Sequence, residues 1–406
     1  MIRLRLIGVP SSAGAHAPGV ERGPARLPAA GLAGALAAAG VAAFDAGDLP
    51  VSLFATTAAP SGARNLPAVL DVVSGVADAV AAARADGDVA VLLGGDCTLV
   101  LGAVAGLRRQ ERASGEVGVF YLDGDADLDT PQEGWGILDS CGVAHLLGDG
   151  DPQLAAVRPG GPLLDAASLV LFGFHSAQLS AGQWRRFADF SLYGVPVTGM
   201  PPGTAGRRAH QALARLHDKR ALLCHLDVDV IDYAQFPLAD CPRYHGGLSL
   251  SDAFDAVTAA AGHPGLACLT LTEVNPDHDP TGELTQELVS RWAAANASQP
   301  GTPPSGAANW GAPLHRQTLR PTSLIPTGPR LPQPPHTRDR GQQAVKTDER
   351  GIPRFAYACS PACCLNAASA ASSATGLWPP GMTSSPSATK PPSTSPRSTS
   401  GSAPTS

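Results

Sequence analysis

Lysine is almost missing from this sequence. Lys219, Lys346 and Lys390 are the only three among 406 residues, and aromatic side chains make up just 5%. Set against many arginines, the lysine shortage follows the bias of a GC-rich genome and excludes no function by itself. Cysteine is present but has no framework spacing. Cys97, Cys141, Cys224, Cys241 and Cys268 are scattered through the body, while Cys359, Cys363 and Cys364 lie near the end. This excludes a disulfide scaffold and points to a reduced, cytoplasmic protein. A strong membrane span is lacking too. The opening "MIRLRLIGVP" is too short in its apolar part for a signal peptide and reads as a first strand. Leu27 to Phe44 carries no charge but is mostly Ala and Gly with a proline near its start, so its transfer energy is weak. A packed helix is expected there.

Basic surface is absent where nucleic acid would need it. The net charge of −6 splits unevenly: ten Lys/Arg face three Asp/Glu from position 301 onward, and 19 face 32 before it, leaving −13 and +7. An acidic body argues against nucleic acid and is compatible with metal. No internal repeat is visible.

What is present is alternation. Apolar runs "IRLRLIGV", "VAVLLGG", "VGVFYLD", "LVLFGF", "ALLCHLDVD" and "LACLTLTEV" read as strands. Between them Leu66 to Ala85, Leu99 to Arg109, Ala205 to His217, Ser251 to Ala261 and Gly282 to Ala297 read as helices. Near-continuous apolar strands separated by helices imply an α/β fold: a three-layer α-β-α sandwich around a mostly parallel sheet. Ligands in such sheets bind beyond the carboxyl ends of the strands. Composition shifts near Ser298. Residues 1–298 form the expected domain, and the Pro/Ser/Thr-rich stretch 299–406 is expected to be disordered.

Three strands end in polar clusters, "VLLGGDCT", "YLDGDADLD" and "CHLDVDVID", and a fourth ends in "TLTEVNPDHD". In "YLDGDADLDTP" Asp123, Asp125, Asp127 and Asp129 alternate, and Asp227 with Asp229 form a second D-x-D. Side chains two apart in extended backbone share a face, so Asp123, Asp125 and Asp127 are expected to converge. A single D-x-D is more often a solvated acidic loop. Two such clusters after buried strands reverse that preference, because like charges at close range cannot all ionise unaided. An EF-hand loop also opens D-x-D-x-D, but its sixth and twelfth positions here are Leu128 and Gly134, so that reading fails.

The ordered motifs "GGDCT" (94–98), "DGDAD" (123–127), "WGILDSC" (135–141), "HLDVDVID" (225–232) and "TEVNP" (272–276) resemble the signatures of the ureohydrolases, the arginases, agmatinases and formiminoglutamases. The opening "IGVPSSAGAHAPGVERGPARL" adds to a likeness running from about residue 3 to 297. The resemblance implies an arginase-like fold and a hydrolase cleaving a C–N bond in a guanidino or amidino compound. It also implies two manganese ions bridged by hydroxide and a homo-oligomer of three or six subunits; zinc, iron or nickel are the other candidate ions. Carried over by position, one metal takes Cys97, Asp123, Asp127 and Asp227, and the other takes Asp123, Asp125, Asp227 and Asp229. Asp127, Asp139 and Glu273 stand nearest the chemistry, Glu273 at the place of the carboxylate that holds the guanidinium.

Cys97, Asp125 and Asp139 occupy positions that are histidine in well-known members. Extra negative charge beside a metal-bound water raises its pKa and makes the nucleophile scarcer, so activity is expected to be impaired. Cys97 also softens one site toward zinc or iron, unless it is simply a buried thiol. A catalytically impaired binding or assembly subunit is the alternative. His145 is expected to be structural; His225 shares a face with Asp227 and is expected mainly to pack. Gly173 to Trp184 has no acid where arginases grip the amino-acid head of arginine, which favours a smaller or differently decorated substrate.

Overall fold

The computed structural model describes residues 3–297 apart from 112–113, 158–160 and 242–245; the tail expected to be disordered, 299–406, lies outside the described residues. The strands are β1 (Arg3–Gly8), β2 (Ala42–Asp48), β3 (Val89–Leu93), β4 (Val117–Leu122), β5 (Leu169–Phe172), β6 (Tyr193–Val195), β7 (Ala221–Asp227) and β8 (Leu266–Thr272). They pair in parallel as one sheet in the order β2-β1-β3-β8-β7-β4-β5-β6. The helices are α1 (Gly23–Ala29), α2 (Leu32–Ala38), α3 (Leu66–Ala85), α4 (Leu99–Gln110) and α5 (Gly142–Leu146) in the first half. The second half adds α6 (Pro152–Ala155), α7 (Ala181–Asp189), α8 (Ala205–Leu213), α9 (Leu250–Ala261) and α10 (Glu283–Asn296).

Both faces of the sheet are covered, which is why its central strands are apolar throughout. Leu122, Leu226 and Leu271 enter a core shared with α2, α8, α9 and α10. Val119, Tyr121 and Leu223 enter the other, shared with α3 and α4. By length and composition α3 is apolar enough to cross a bilayer. Here its Val73, Val76 and Ala77 lie against Gly102 and Gly106 of α4, where any added Cβ would press on α3 backbone or valine side chains.

Two strands and one break differ from expectation. Leu27 to Phe44 is not a single helix. Left-handed glycines at Gly31 (φ 91°) and Gly40 (φ 75°) end the helical turns, and the segment's last residues enter β2. Strands β2 and β6 were not evident as apolar runs because they are the sheet's edges and are only partly buried.

The strand order has a functional consequence. The four strands whose carboxyl ends carry polar clusters, β3, β8, β7 and β4, are adjacent at the centre of the sheet. Three of them end on the same pattern, a polar residue, a leucine and a second polar residue. These are Tyr121-Leu122-Asp123, His225-Leu226-Asp227 and Thr270-Leu271-Thr272. His225 registers with Tyr121 on one side and Thr270 on the other, and Asp227 registers with Thr272. Each leucine faces one core, so the flanking residues make two polar rows on the opposite face.

Candidate metal centre

The loop after β3 is clamped before it reaches Cys97. Gly94 N–H donates to Leu271 O (2.7 Å), Gly95 N–H to Val9 O (3.0 Å) and Asp96 N–H to Ser11 O (3.0 Å). A Cβ on Gly95 would fall 1.7 Å from Ser11 O, so only glycine permits this approach. The Asp96 carboxylate accepts from Ser11 Oγ (2.9 Å), Gly14 N–H (3.1 Å) and Thr98 N–H (3.1 Å), tying the loop to the segment after β1.

Cys97 is thereby aimed at the strand ends. Its N–H donates to Glu273 Oε1 (3.1 Å), and its Sγ donates to Asp227 Oδ2 (2.8 Å) beside Thr272 Oγ1 (3.2 Å). Burial, then the charges of Asp227 and Glu273, push the thiol well above its ordinary range. Without a cation it stays protonated.

The aspartates after β4 and β7 form a linked set. Asp123 Oδ1 accepts the Asp125 N–H (2.6 Å), Asp227 Oδ1 the Asp229 N–H (2.8 Å) and Asp229 Oδ1 the Gly124 N–H (2.9 Å). Asp123 Oδ2 is buried with no hydrogen-bond partner. Desolvation, then Asp127, Asp229 and Asp227, raise the Asp123 carboxyl well above the usual range. Asp127 is raised by burial and by Asp125, while the hydroxyl of Tyr121 donates to it and pulls the other way.

Asp123, Asp125 and Asp127 come near enough for Asp127 to raise Asp123 and Asp125 to raise Asp127, but they do not do so along one extended face. Extended backbone stops at Leu122, and Asp127 is left-handed (φ 47°). Asp125 is half-buried, with Oδ1 accepting from Ala126 N–H (2.7 Å) and Gln183 Nε2 (3.1 Å) near the start of α7.

Glu273 follows β8 in a left-handed conformation (φ 61°) that turns its carboxylate back toward Cys97. Burial, then Asp227 and Asp139, raise it well above the ordinary glutamate range. Asp139 is half-buried; its N–H donates to Gly14 O (3.2 Å), and its Oδ1 accepts from Ser140 N–H (2.7 Å). Loss of solvent, then Asp96, push its carboxyl well up.

His145 is fully buried away from this set, with Nε2 accepting the Asp151 N–H (3.0 Å) and a pKa lowered to about 4 by burial. His225 packs as expected, with its ring 4.2 Å from that of Tyr121. Packing is not all it does. Its Nδ1 lies 2.7 Å from Thr270 Oγ1, while Nε2 is buried with no partner.

Among the described residues, Cys97, Asp123, His225 and Asp227 each offer one ligand atom, and all four atoms lie within 4.8 Å of one another. Two acids, a thiol and an imidazole this close, with an orphaned carboxylate oxygen and an orphaned ring nitrogen, fit a divalent cation. Asp125, Asp127 and Asp229 border this group rather than join it. Motif reading passed over Tyr121, Thr270, Thr272, Asp96 and Gln183. The repeated polar-Leu-polar ending was the available signal for the first three, whereas the Gln183 contact had none.

A sequence description of the arginase family matches residues 2–297. An arginase of Glaciozyma antarctica is 30% identical over 301 residues, covering 70% of this chain and 83% of its own length. The native structure of the Bacillus caldovelox arginase superposes with a TM-score of 0.66 at 24% identity, covering 73% of this chain and 98% of that one. The formimidoylglutamase of Bacillus subtilis gives 0.58 at 16% identity, covering 73% and 87%.

Proposed function

Because this chain belongs to the arginase family of metal-dependent hydrolases, we propose that it cleaves a C–N bond in a small guanidino or amidino compound. The observation that carries the reading is the meeting of four buried side chains at the central strand ends, each offering a ligand atom, with Asp123 Oδ2 and His225 Nε2 left without a protein partner. Cys97, Asp123 and Asp227 would hold one divalent cation. Asp125, Asp127 and Asp229 stand around them for a second. Manganese is the pair implied by the family, and assembly into trimers or hexamers belongs to the same reading.

Bound cations supply Lewis acidity and a water more easily deprotonated than in bulk. The chain's own groups do the rest. Glu273, held by the Cys97 N–H, presents a carboxylate beside the cluster that can orient a planar cationic guanidinium through paired N–H donors. Asp139, whose carboxyl is raised by desolvation and Asp96, is the candidate group to deliver a proton to a leaving nitrogen. The stretch "GFHSAQLSAGQW", residues 173–184, has no carboxylate for an α-amino group, so a substrate smaller than arginine or differently decorated fits better.

The test is elemental analysis of the purified chain alongside urea and ammonia release from a panel of guanidino and amidino compounds. Stoichiometric metal with turnover is expected. A folded, metal-free protein without turnover would overturn the reading and favour a binding or assembly subunit.

A further inference from the structure

We propose that His225 is itself a metal ligand. With Cys97, Asp123 and Asp227 it completes a thiolate-imidazole-carboxylate site for a borderline-soft dication of the zinc class. The inference rests on the metal dependence of the reading above but on no substrate.

The placement of the ring carries the argument. His225 sits in the middle strand of the central three, flanked in register by Tyr121 and Thr270. Tyr121 packs against one side of the imidazole, and Thr270 Oγ1 meets Nδ1 at 2.7 Å. With Nδ1–H donated to that hydroxyl, Nε2 carries a lone pair. This is how a metal-binding histidine is usually set, with its distal nitrogen fixed by an oxygen acceptor. The ring is wholly buried, yet Nε2 has no donor from the protein. Nothing in the described chain satisfies that lone pair, and a cation would.

The other three donors are arranged for the same point. Asp123 Oδ2 is a second buried atom without a partner. Cys97 Sγ gives its proton to Asp227 Oδ2 at 2.8 Å, an arrangement in which a dication replaces that proton and binds both atoms. One ligand atom from each of the four residues lies within 4.8 Å of the other three. Ligands on a tetrahedral zinc, with bonds of about 2.0–2.3 Å, stand about 3.3–3.8 Å apart, so modest side-chain movement closes the sphere. One sulfur, one nitrogen and two oxygens are a zinc-type set, and the thiolate in particular selects zinc over manganese or magnesium.

Cobalt(II) titration of the chelator-stripped full-length protein tests this, with circular dichroism to confirm folding. A thiolate-to-cobalt charge-transfer band in the near ultraviolet and intense tetrahedral visible bands are expected, both lost when zinc is added. His225→Ala should weaken cobalt binding at least tenfold and alter the visible bands while keeping the thiolate band; Cys97→Ser should remove that band. If the alanine variant does not fold, His225→Gln is read instead. Absence of cobalt binding, absence of the thiolate band, or a His225 variant with unchanged affinity and spectrum would overturn the proposal. Cobalt bound with the expected spectrum in a protein that turns over no guanidino or amidino compound would leave this site standing and remove only the hydrolase reading.

Discussion

The side chain of Gln183 joins a helix cap to the acidic cluster. Its Oε1 accepts the Ser180 N–H (2.8 Å) to close the capping box of α7, and its Nε2 donates to Asp125 Oδ1 (3.1 Å). Asp125 thus has a neutral donor on one of its carboxylate oxygens.

Asp125→His tests the charge argument. It removes one negative charge and supplies a neutral donor in place of a carboxylate. We expect bound metal or turnover to rise about tenfold, the size of effect typical of groups that tune a metal centre. Metal content per chain and initial rates at fixed metal concentration are the measurements; no gain in either would show that local charge is not the limitation.

Asp139 is expected to move a proton. Asp139→Asn should lower the rate at saturating substrate about a hundredfold or more. Asp139→His should restore part of it with a displaced pH optimum. A pH–rate profile identical across the three proteins would assign Asp139 a purely structural place.

Gly95→Ala should disturb the site without touching a charged group. The added methyl would lie 1.7 Å from Ser11 O, so the loop carrying Cys97 must shift. A loss of about 1–3 kcal/mol in denaturant unfolding is expected, together with weaker metal binding. A variant with unchanged stability would mean that the clamp between Gly95 and Ser11 yields easily.

His145 gives a pH signature independent of metal. Its folded pKa of about 4 lies below the ordinary value of 6.5 because burial opposes its charge. Stability from this group is complete above that ordinary value and is lost as pH falls toward the folded one, by up to about 3 kcal/mol. Unfolding measured from neutral to mildly acidic pH in the wild type and in His145→Gln should show a shallower fall for the variant. Parallel curves would refute this.

The order of motifs made the fold and the location of the site legible, because apolar runs ending in acids can be read one strand at a time. Which acids converge could not be read that way. Period-two reasoning holds for Tyr121 with Asp123 and for His225 with Asp227, since both pairs begin within a strand. It fails for Asp125 and Asp127, where the chain has left the sheet and φ turns positive at Asp127. The free nitrogen of His225 was hidden for another reason. Only strand order reveals that Thr270 occupies the other nitrogen, and the two residues are 45 positions apart in sequence.

The two polar rows also govern how the chain finds its pairing. A slip of β7 by one residue against β4 and β8 would rotate His225 and Asp227 into the layer of Leu122 and Leu271 and turn Leu226 out among the acids. Such a misalignment would strand a carboxylate and an imidazole in hydrocarbon, a heavy penalty compared with moving leucines alone. The groups that would grip an ion therefore also serve as an alignment key, rejecting mispaired sheets before any ion arrives.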